Sequence, residues 1–317
     1  MQFKFLHNTN IDFIGKRHLF FIISAILVLI GAASLIIKGP NYGIDFSGGI
    51  LMQVGFEQQL NMADVRSALD SAGIKSVELQ SSRDKTGKTS VIIRVKKSDV
   101  NEDEFAKKVT ESFSAKFAKN PFDVERTEYV GPAVGKHLSK QAFYALIFAF
   151  LGIIVYVGIR FHAGIWGMAG VIGIMHDVFV IFGLFSLFGK EITLTVIAAL
   201  LTIAGYSIND TIVVFDRIRE NLKYLAKENL KSIMNKSINQ TLSRTIITSL
   251  TVFIVVVVLF FVGGEVLHDF AFAMILGVVI GTYSSIYVCS ALVYEWEEGK
   301  KKRLQYAMSS MKGYKKA

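Results

Sequence analysis

Six apolar runs, at about 19–37, 142–159, 163–188, 192–215, 245–262 and 270–294, constrain this chain more than any other feature. Each is long enough to cross a hydrocarbon core of ~30 Å. With no water there, the backbone must satisfy its own hydrogen bonds, so runs of this length span as helices. Charged residues make up only 19% of the chain and the mean hydropathy is +0.44, against roughly 25% charged in soluble domains. The expected fold class is an α-helical polytopic membrane protein with six transmembrane helices. The single cysteine, Cys289, sits in the last run, so no intrachain disulfide can form.

The net charge of +9 could suggest a nucleic-acid binder, but its distribution argues against one. Lys and Arg number 3 in residues 1–18, 7 in 216–244 and 7 in 295–317, with Arg160 on the same side, against Lys190 alone in the short segments opposite. The remaining 16 lie in 38–140, where 14 Asp and Glu nearly cancel them. Short cytoplasmic loops collect cations, whereas long translocated domains are exempt. Both termini are therefore expected in the cytoplasm, with 38–140 outside. Lys16 and Arg17 ahead of the first run, and Ala32-Ala33-Ser34 within it, resemble a signal peptide and its cleavage context. The run continues to Ile37, longer than a usual signal core, so it reads as an uncleaved anchor.

The expected organisation is a cytoplasmic N-terminus (1–18), a first span (19–37), an external domain (38–140), five close spans (141–294) and a basic tail (295–317). Within 38–140 the apolar period switches between two and 3.6. Gly49–Phe56, Val77–Gln80, Ser90–Val95 and Phe122–Val130 read as strands. Asn61–Ala72, capped by Asn61 and followed by Gly73, and 101–118 read as helices, with the turn SRDKTGK between the middle strands. Strand-helix-strand-strand-helix-strand is the split pattern of a small α+β ferredoxin-like domain. The segment 216–244 has helical apolar spacing at Ile218, Leu222, Leu225 and Leu230 and is expected to form a cytoplasmic surface helix.

Asp210 is the only ionisable carboxyl or amine in Ile192–Phe215. Facing lipid it would cost at least ~2.5 kcal/mol, so it should face protein or water and mark an ion or proton path. Thr202, Gly205, Tyr206 and Asn209 share with it a sector of roughly 140°, opposite Leu200, Leu201, Ile208 and Ile212. The alternative is that Asp210, six residues before Asp216, reaches the headgroups. Arg244, where the next run begins, should lie at similar depth. A guanidinium favours the charged form of a nearby carboxyl, while burial favours the neutral form. Arg244 could equally be an ordinary positive-inside anchor. His176-Asp177, midway along the third run, is a second ionisable site, either in a relay or in a structural hydrogen bond.

Gly164, Gly167, Gly170 and Gly173, and the GxxxG of Gly277 and Gly281, point to close helix packing, and the GxxxG to a candidate partner contact. No Walker A, HExxH, zinc spacing or nucleophile elbow occurs, so neither an enzyme nor a cofactor is expected, and any energy used should be ionic.

Four blocks carry a resemblance: Asn41-Tyr-Gly-Ile-Asp-Phe-Ser-Gly-Gly49, Tyr129-Val-Gly-Pro-Ala-Val-Gly135, Ser207 to Asn221 (SINDTIVVFDRIREN) and Leu242 to Ser249 (LSRTIITS). In this order and topology the chain resembles the SecD/SecF family of bacterial protein-export membrane subunits, on its SecF side. The resemblance implies pairing with a separate SecD-like six-span protein in an arrangement like that of RND exporters. It further implies association with the SecYEG channel, and use of the proton gradient to draw translocating polypeptide outward. The family's proton-path residues would then map onto Asp210 and Arg244; the residue chemistry read above adds Asn209 and Asp177 to the proton relay, with Thr202 and Tyr206 lining the path. Two rivals stay open: an RND-like exporter half for lipids or small molecules, and a passive scaffold that stabilises a channel.

Overall fold

The computed structural model describes residues 9–75, 77–83, 88–96, 102–161, 164–225 and 228–314. The expected turn SRDKTGK lies partly outside them, at 84–87. The elements in chain order are α1 (Arg17–Ile37), α2 (Ile44–Ser47), β1 (Gly49–Phe56), α3 (Met62–Ser71), β2 (Glu78–Arg83) and β3 (Thr89–Lys96). There follow α4 (Glu102–Lys116), β4 (Phe122–Val130), α5 (Pro132–Phe161), α6 (Gly164–Phe188), α7 (Leu194–Tyr224), α8 (Leu230–Val262) and α9 (Gly264–Tyr283). A π-helical stretch, Ser284–Cys289, joins α9 to α10 (Ser290–Tyr314). Two compact units result: Tyr42–Tyr144, and residues up to Asn41 together with those from Ala145 on.

In the first of these, four strands form an antiparallel sheet of order β2-β3-β1-β4, the ferredoxin-like arrangement. The period-two pattern of β1 places Ile50, Met52, Val54 and Phe56 on one face, all fully buried with Leu69 of α3 and Phe113 of α4. Each such side chain contributes roughly 1.5–3 kcal/mol of burial. Asn61 caps α3 by accepting from Ala63 N at 3.0 Å, and Gly73 closes it at φ +77°. The Gly48-Gly49 pair has a steric reason. Gly48 adopts φ +69° and Gly49 φ +140°, and a Cβ on Gly49 would collide with the Val95 carbonyl. A Cβ on Gly135 would come within 2.9 Å of Gly48 N, so the first two sequence blocks pack backbone against backbone.

In the other unit six helices are long and apolar enough to cross a membrane: α1, α5, α6, α7, α8 and the continuous Val266–Arg303. Their apolar windows divide into an inner set (α6, α7 and the last helix, at 50%, 50% and 61% buried) and an outer set (α1, α5 and α8, at 17%, 11% and 17%). Glycines set the closest approaches. Gly31 of α1 and Gly183 of α6 meet so tightly that a Cβ on either would touch the other's backbone. Gly170 takes Ile208 of α7, and Gly173 takes the Cys289 side chain. Gly277 and Gly281 receive Ile203 and Ser207 of α7, so the GxxxG serves packing within this chain and is not an outward partner contact.

The segment 216–244 is not a separate surface helix. Its first part continues α7 to Tyr224, where the helix ends at Leu225, and its second part is the start of α8 at Leu230, which Asn229 caps by accepting from Ser232 N at 2.7 Å. The extended N-terminal segment lies along this part of α8. Asn239 accepts from Ile11 N (3.0 Å) and donates to Ile11 O (2.9 Å), and Asn235 accepts from Ile14 N (2.9 Å). Asp12 receives hydrogen bonds from Lys231 and Gly15 N, which hold its carboxyl at about 2.

Candidate functional site

The site is a junction of α6, α7, α8 and the π-helical stretch. Asp210 on α7 is 9% exposed and its side chain faces its neighbours within the chain. Thr245 Oγ1 of α8 donates to its Oδ1 at 2.7 Å, and Ser285 Oγ donates to its Oδ2. Asp177 on α6 is completely buried. Ser207 Oγ (2.6 Å) and Ser284 Oγ (2.7 Å) both donate to its Oδ2, while His176 Nδ1 lies 2.9 Å from Oδ1. Consecutive serines therefore serve two carboxylates on different helices.

The π turn makes this possible. On a regular helix, adjacent residues point about 100° apart. An inserted residue widens the turn locally and changes the faces that follow, which is why such bulges occur often at functional sites. The cost is a loosened backbone ladder, and Ser290 Oγ takes up the Ser285 carbonyl at 3.1 Å. On its other side the stretch is braced by α1: Phe20 stacks on Tyr287 at 3.6 Å, and Tyr283 OH donates to Phe20 O at 2.7 Å.

A second layer lies one helical turn away. Tyr206 OH donates to Ser249 Oγ at 2.8 Å, and Ser249 Oγ lies 2.7 Å from Thr282 Oγ1. Tyr206 with Asp210 and Thr245 with Ser249 are i,i+4 pairs, and Thr282 with Ser285 is i,i+3, so each layer takes one group from each of three helices. The lower layer is a carboxylate with two hydroxyls. The upper is three hydroxyls. A hydroxyl can donate to a carboxylate or turn and accept from a carboxylic acid. The cage around Asp210 can therefore satisfy both protonation states without moving a backbone.

Several expected residues do not join it. Arg244 is exposed and, among the described residues, makes no hydrogen bond or ion pair with Asp210, on which it acts only through its charge. Thr202 and Asn209 are also exposed, with Thr202 Oγ1 turned back onto the Ala198 carbonyl at 2.8 Å. The expected polar stripe is split because Asp210 turns inward to α8 and the π stretch, while Thr202, Gly205 and Asn209 point away from the chain's own helices. Leu200 and Ile208, on the supposed apolar side, are buried against other helices. Sequence reasoning misses Thr245, Ser284, Ser285, Ser249 and Thr282 as site residues. Two adjacent serines inside an apolar run were the only available signal for the π stretch. Among the described residues no group of three or more His, Cys, Asp or Glu gathers as a metal site.

The chain matches the family model "Protein export membrane protein SecD/SecF, C-terminal" over residues 109–299 and the "SecD/SecF GG Motif" over 33–60, which contains Gly48-Gly49. It is 51% identical to a protein translocase subunit SecF of Endomicrobium trichonymphae, covering 96% of this chain and 97% of that one. A second SecF, from Thermodesulfovibrio yellowstonii, is 44% identical over 92% of this chain and 96% of its own. Among solved structures, SecDF of Thermus thermophilus, described as a translocon-associated membrane protein, superposes with TM-score 0.82 at 37% identity. That similarity covers 93% of this chain and 40% of the SecDF polypeptide.

Proposed function

The chain belongs to the SecD/SecF family of protein-export membrane proteins, as an auxiliary subunit of the Sec translocase, and from that premise we propose that Asp210 takes up and releases the protons that drive it. The observation that carries this reading is the cage itself. A buried carboxyl held by Thr245 and Ser285, with no cation bonded to it among the described residues, is not committed to its charged form. Protonation changes the charge where α7, α8 and the π stretch meet, and so biases between two packings of those helices. Because Ser284 and Ser285 are adjacent, a shift at Asp210 is felt at Asp177.

The exposed face of Thr202, Gly205, Asn209 and Arg244 would be costly against lipid. A SecD-like partner covers it in this reading. The SecDF match, in which the polypeptide is more than twice this chain's length, supports such a partner. The pair would act beside the SecYEG channel on translocating polypeptide, in the inner membrane. Both termini would be cytoplasmic and the 42–144 unit outside, as the Lys and Arg distribution supports.

The test is Asp210→Asn beside Asp210→Glu, compared at matched membrane levels for proton-gradient-dependent export of a slowly secreted protein. Asn preserves shape and hydrogen bonding but cannot ionise, so it should assemble normally and lose the gradient-dependent component. Glu should retain part of it. Full activity in the Asn variant would refute the proton role and favour a passive scaffold.

A further inference from the structure

The chain contains only two tryptophans, Trp166 and Trp296. Each lines one of two basic cavities that flank α10. Tryptophan gathers at the boundary between hydrocarbon and headgroups; Trp296, 52% exposed, fits that boundary on the side where α6 begins and α7 leaves the bilayer, while Trp166, 6% exposed, packs on Phe215 at the inner wall of its cavity.

The Trp166 cavity, of about 510 Å³, carries the stronger case. Its walls bring together Arg219 and Lys223 of α7 and Lys301 of α10, over the side chains of Leu222 and Leu230. Glu297 is the one carboxylate lining it. Nearby acids are already engaged: Asp216 pairs with Arg160, Glu220 with Arg217, and Glu228 with Lys236. Among the described residues none of the three cavity cations has an ion-pair partner, and Arg219 only lies over the Phe161 ring at 5.7 Å. Three cations against one carboxylate leave an uncompensated positive site with an apolar floor.

We propose that this cavity binds the phosphate headgroup of an anionic phospholipid from the surrounding leaflet. Arg219, Lys223 and Lys301 would hold the phosphate, while Trp166, Leu222 and Leu230 contact the glycerol and upper chains. Basic pockets between helices at this depth suit such headgroups. A soluble phosphate could meet the cations, but would leave the apolar floor of Leu222 and Leu230 unused. The site is separate from the Asp210 cage and stands whether or not Asp210 carries protons.

The two tryptophans supply the test. Trp296→Phe leaves Trp166 as the single fluorophore, in full-length protein reconstituted into phosphatidylcholine bilayers. Bromine-chain phosphatidylglycerol and bromine-chain phosphatidylcholine are compared as quenchers at equal mole fraction. Each Lys or Arg near a surface is worth roughly fivefold in favour of an anionic lipid. With Glu297 offsetting one cation, half-maximal quenching by the anionic lipid should need about tenfold or more less lipid. Arg219→Gln, Lys223→Gln and Lys301→Gln together should erase the difference, while Lys223→Arg with Lys301→Arg should keep it. At 1 M salt, where the screening length is about 3 Å, the preference should shrink even without any substitution at the cations. Equal quenching by the two lipids, a preference unchanged by salt or surviving in the triple Gln variant, or its reversal by millimolar glycerol phosphate would overturn the assignment.

Discussion

Thr245→Val isolates the cage from the carboxyl it holds. Valine replaces the hydroxyl by a methyl of similar size at a position only 2% exposed, so no cavity opens and the fold should be unaffected. The loss is the 2.7 Å hydrogen bond to Asp210 Oδ1. Such a bond is worth about 1.5–3 kcal/mol to a charged carboxylate and about 0.5–1.5 kcal/mol to a neutral acid. The free-energy gap between the two protonation states should therefore change by about 1–1.5 kcal/mol, a factor of roughly 5–15. Ser285 still donates to the other oxygen, so the proton cycle should be slowed and not abolished. The expected result is a roughly tenfold loss of gradient-dependent export in membrane vesicles, with gradient-independent export unchanged. Thr245→Ser, which restores a donor, should return most of the loss. Ser285→Ala should behave like Thr245→Val, and combining the two should exceed the sum, because Asp210 would then keep no donor. A Thr245→Val protein that exports at the wild-type rate while Asp210→Asn is inactive would refute the reasoning. Equal inactivity of the Val and Ser variants would assign Thr245 to packing.

Gly49→Ala should destabilise the 42–144 unit by about 2 kcal/mol or more, since it combines a strained φ with a collision against the Val95 carbonyl; thermal melts of the excised unit read this directly. Single cysteines at Ser71 and Lys236 in a Cys289→Ser background should label from opposite sides of the membrane, and labelling from the same side would end the proposed topology. Asp12→Asn should loosen the N-terminal segment from α8 by no more than about 1 kcal/mol, the scale of an exposed ion pair, read as faster amide exchange at Ile11 and Ile14. Because the Asp12 carboxyl lies below its usual 3.8, at about 2, its contribution is present above about pH 4 and fades as the pH falls through 2. Retention of the full contribution at pH 1 would contradict that attribution.

The length and polarity of the apolar runs sufficed for six spanning helices, because a hydrocarbon environment leaves the backbone no alternative. The alternation along Gly49–Phe56 and the Asn61 cap likewise sufficed for the ferredoxin-like unit, since both signals are local. Asp210 was legible for the same kind of reason: a lone carboxyl in an apolar run is costly wherever it points. Its surroundings were not legible. A helical wheel places Thr202, Asn209 and Asp210 together but cannot say which edge meets a neighbour, and the structure puts Asp210 inside and the others outside. Arg244 precedes Thr245 by one residue, yet only the threonine faces the carboxyl, because a step of about 100° separates adjacent side chains. The π stretch was beyond local reading altogether. It depends on Ser284 and Ser285 each finding a carboxylate on another helix, some 107 and 75 residues earlier in the chain. Sequence determined which groups lie in the long apolar helices and roughly where along them. Only tertiary packing decided which of them touch, because contact between helices depends on rotation about their axes, and that rotation is set by how Gly170, Gly173, Gly277 and Gly281 receive their neighbours.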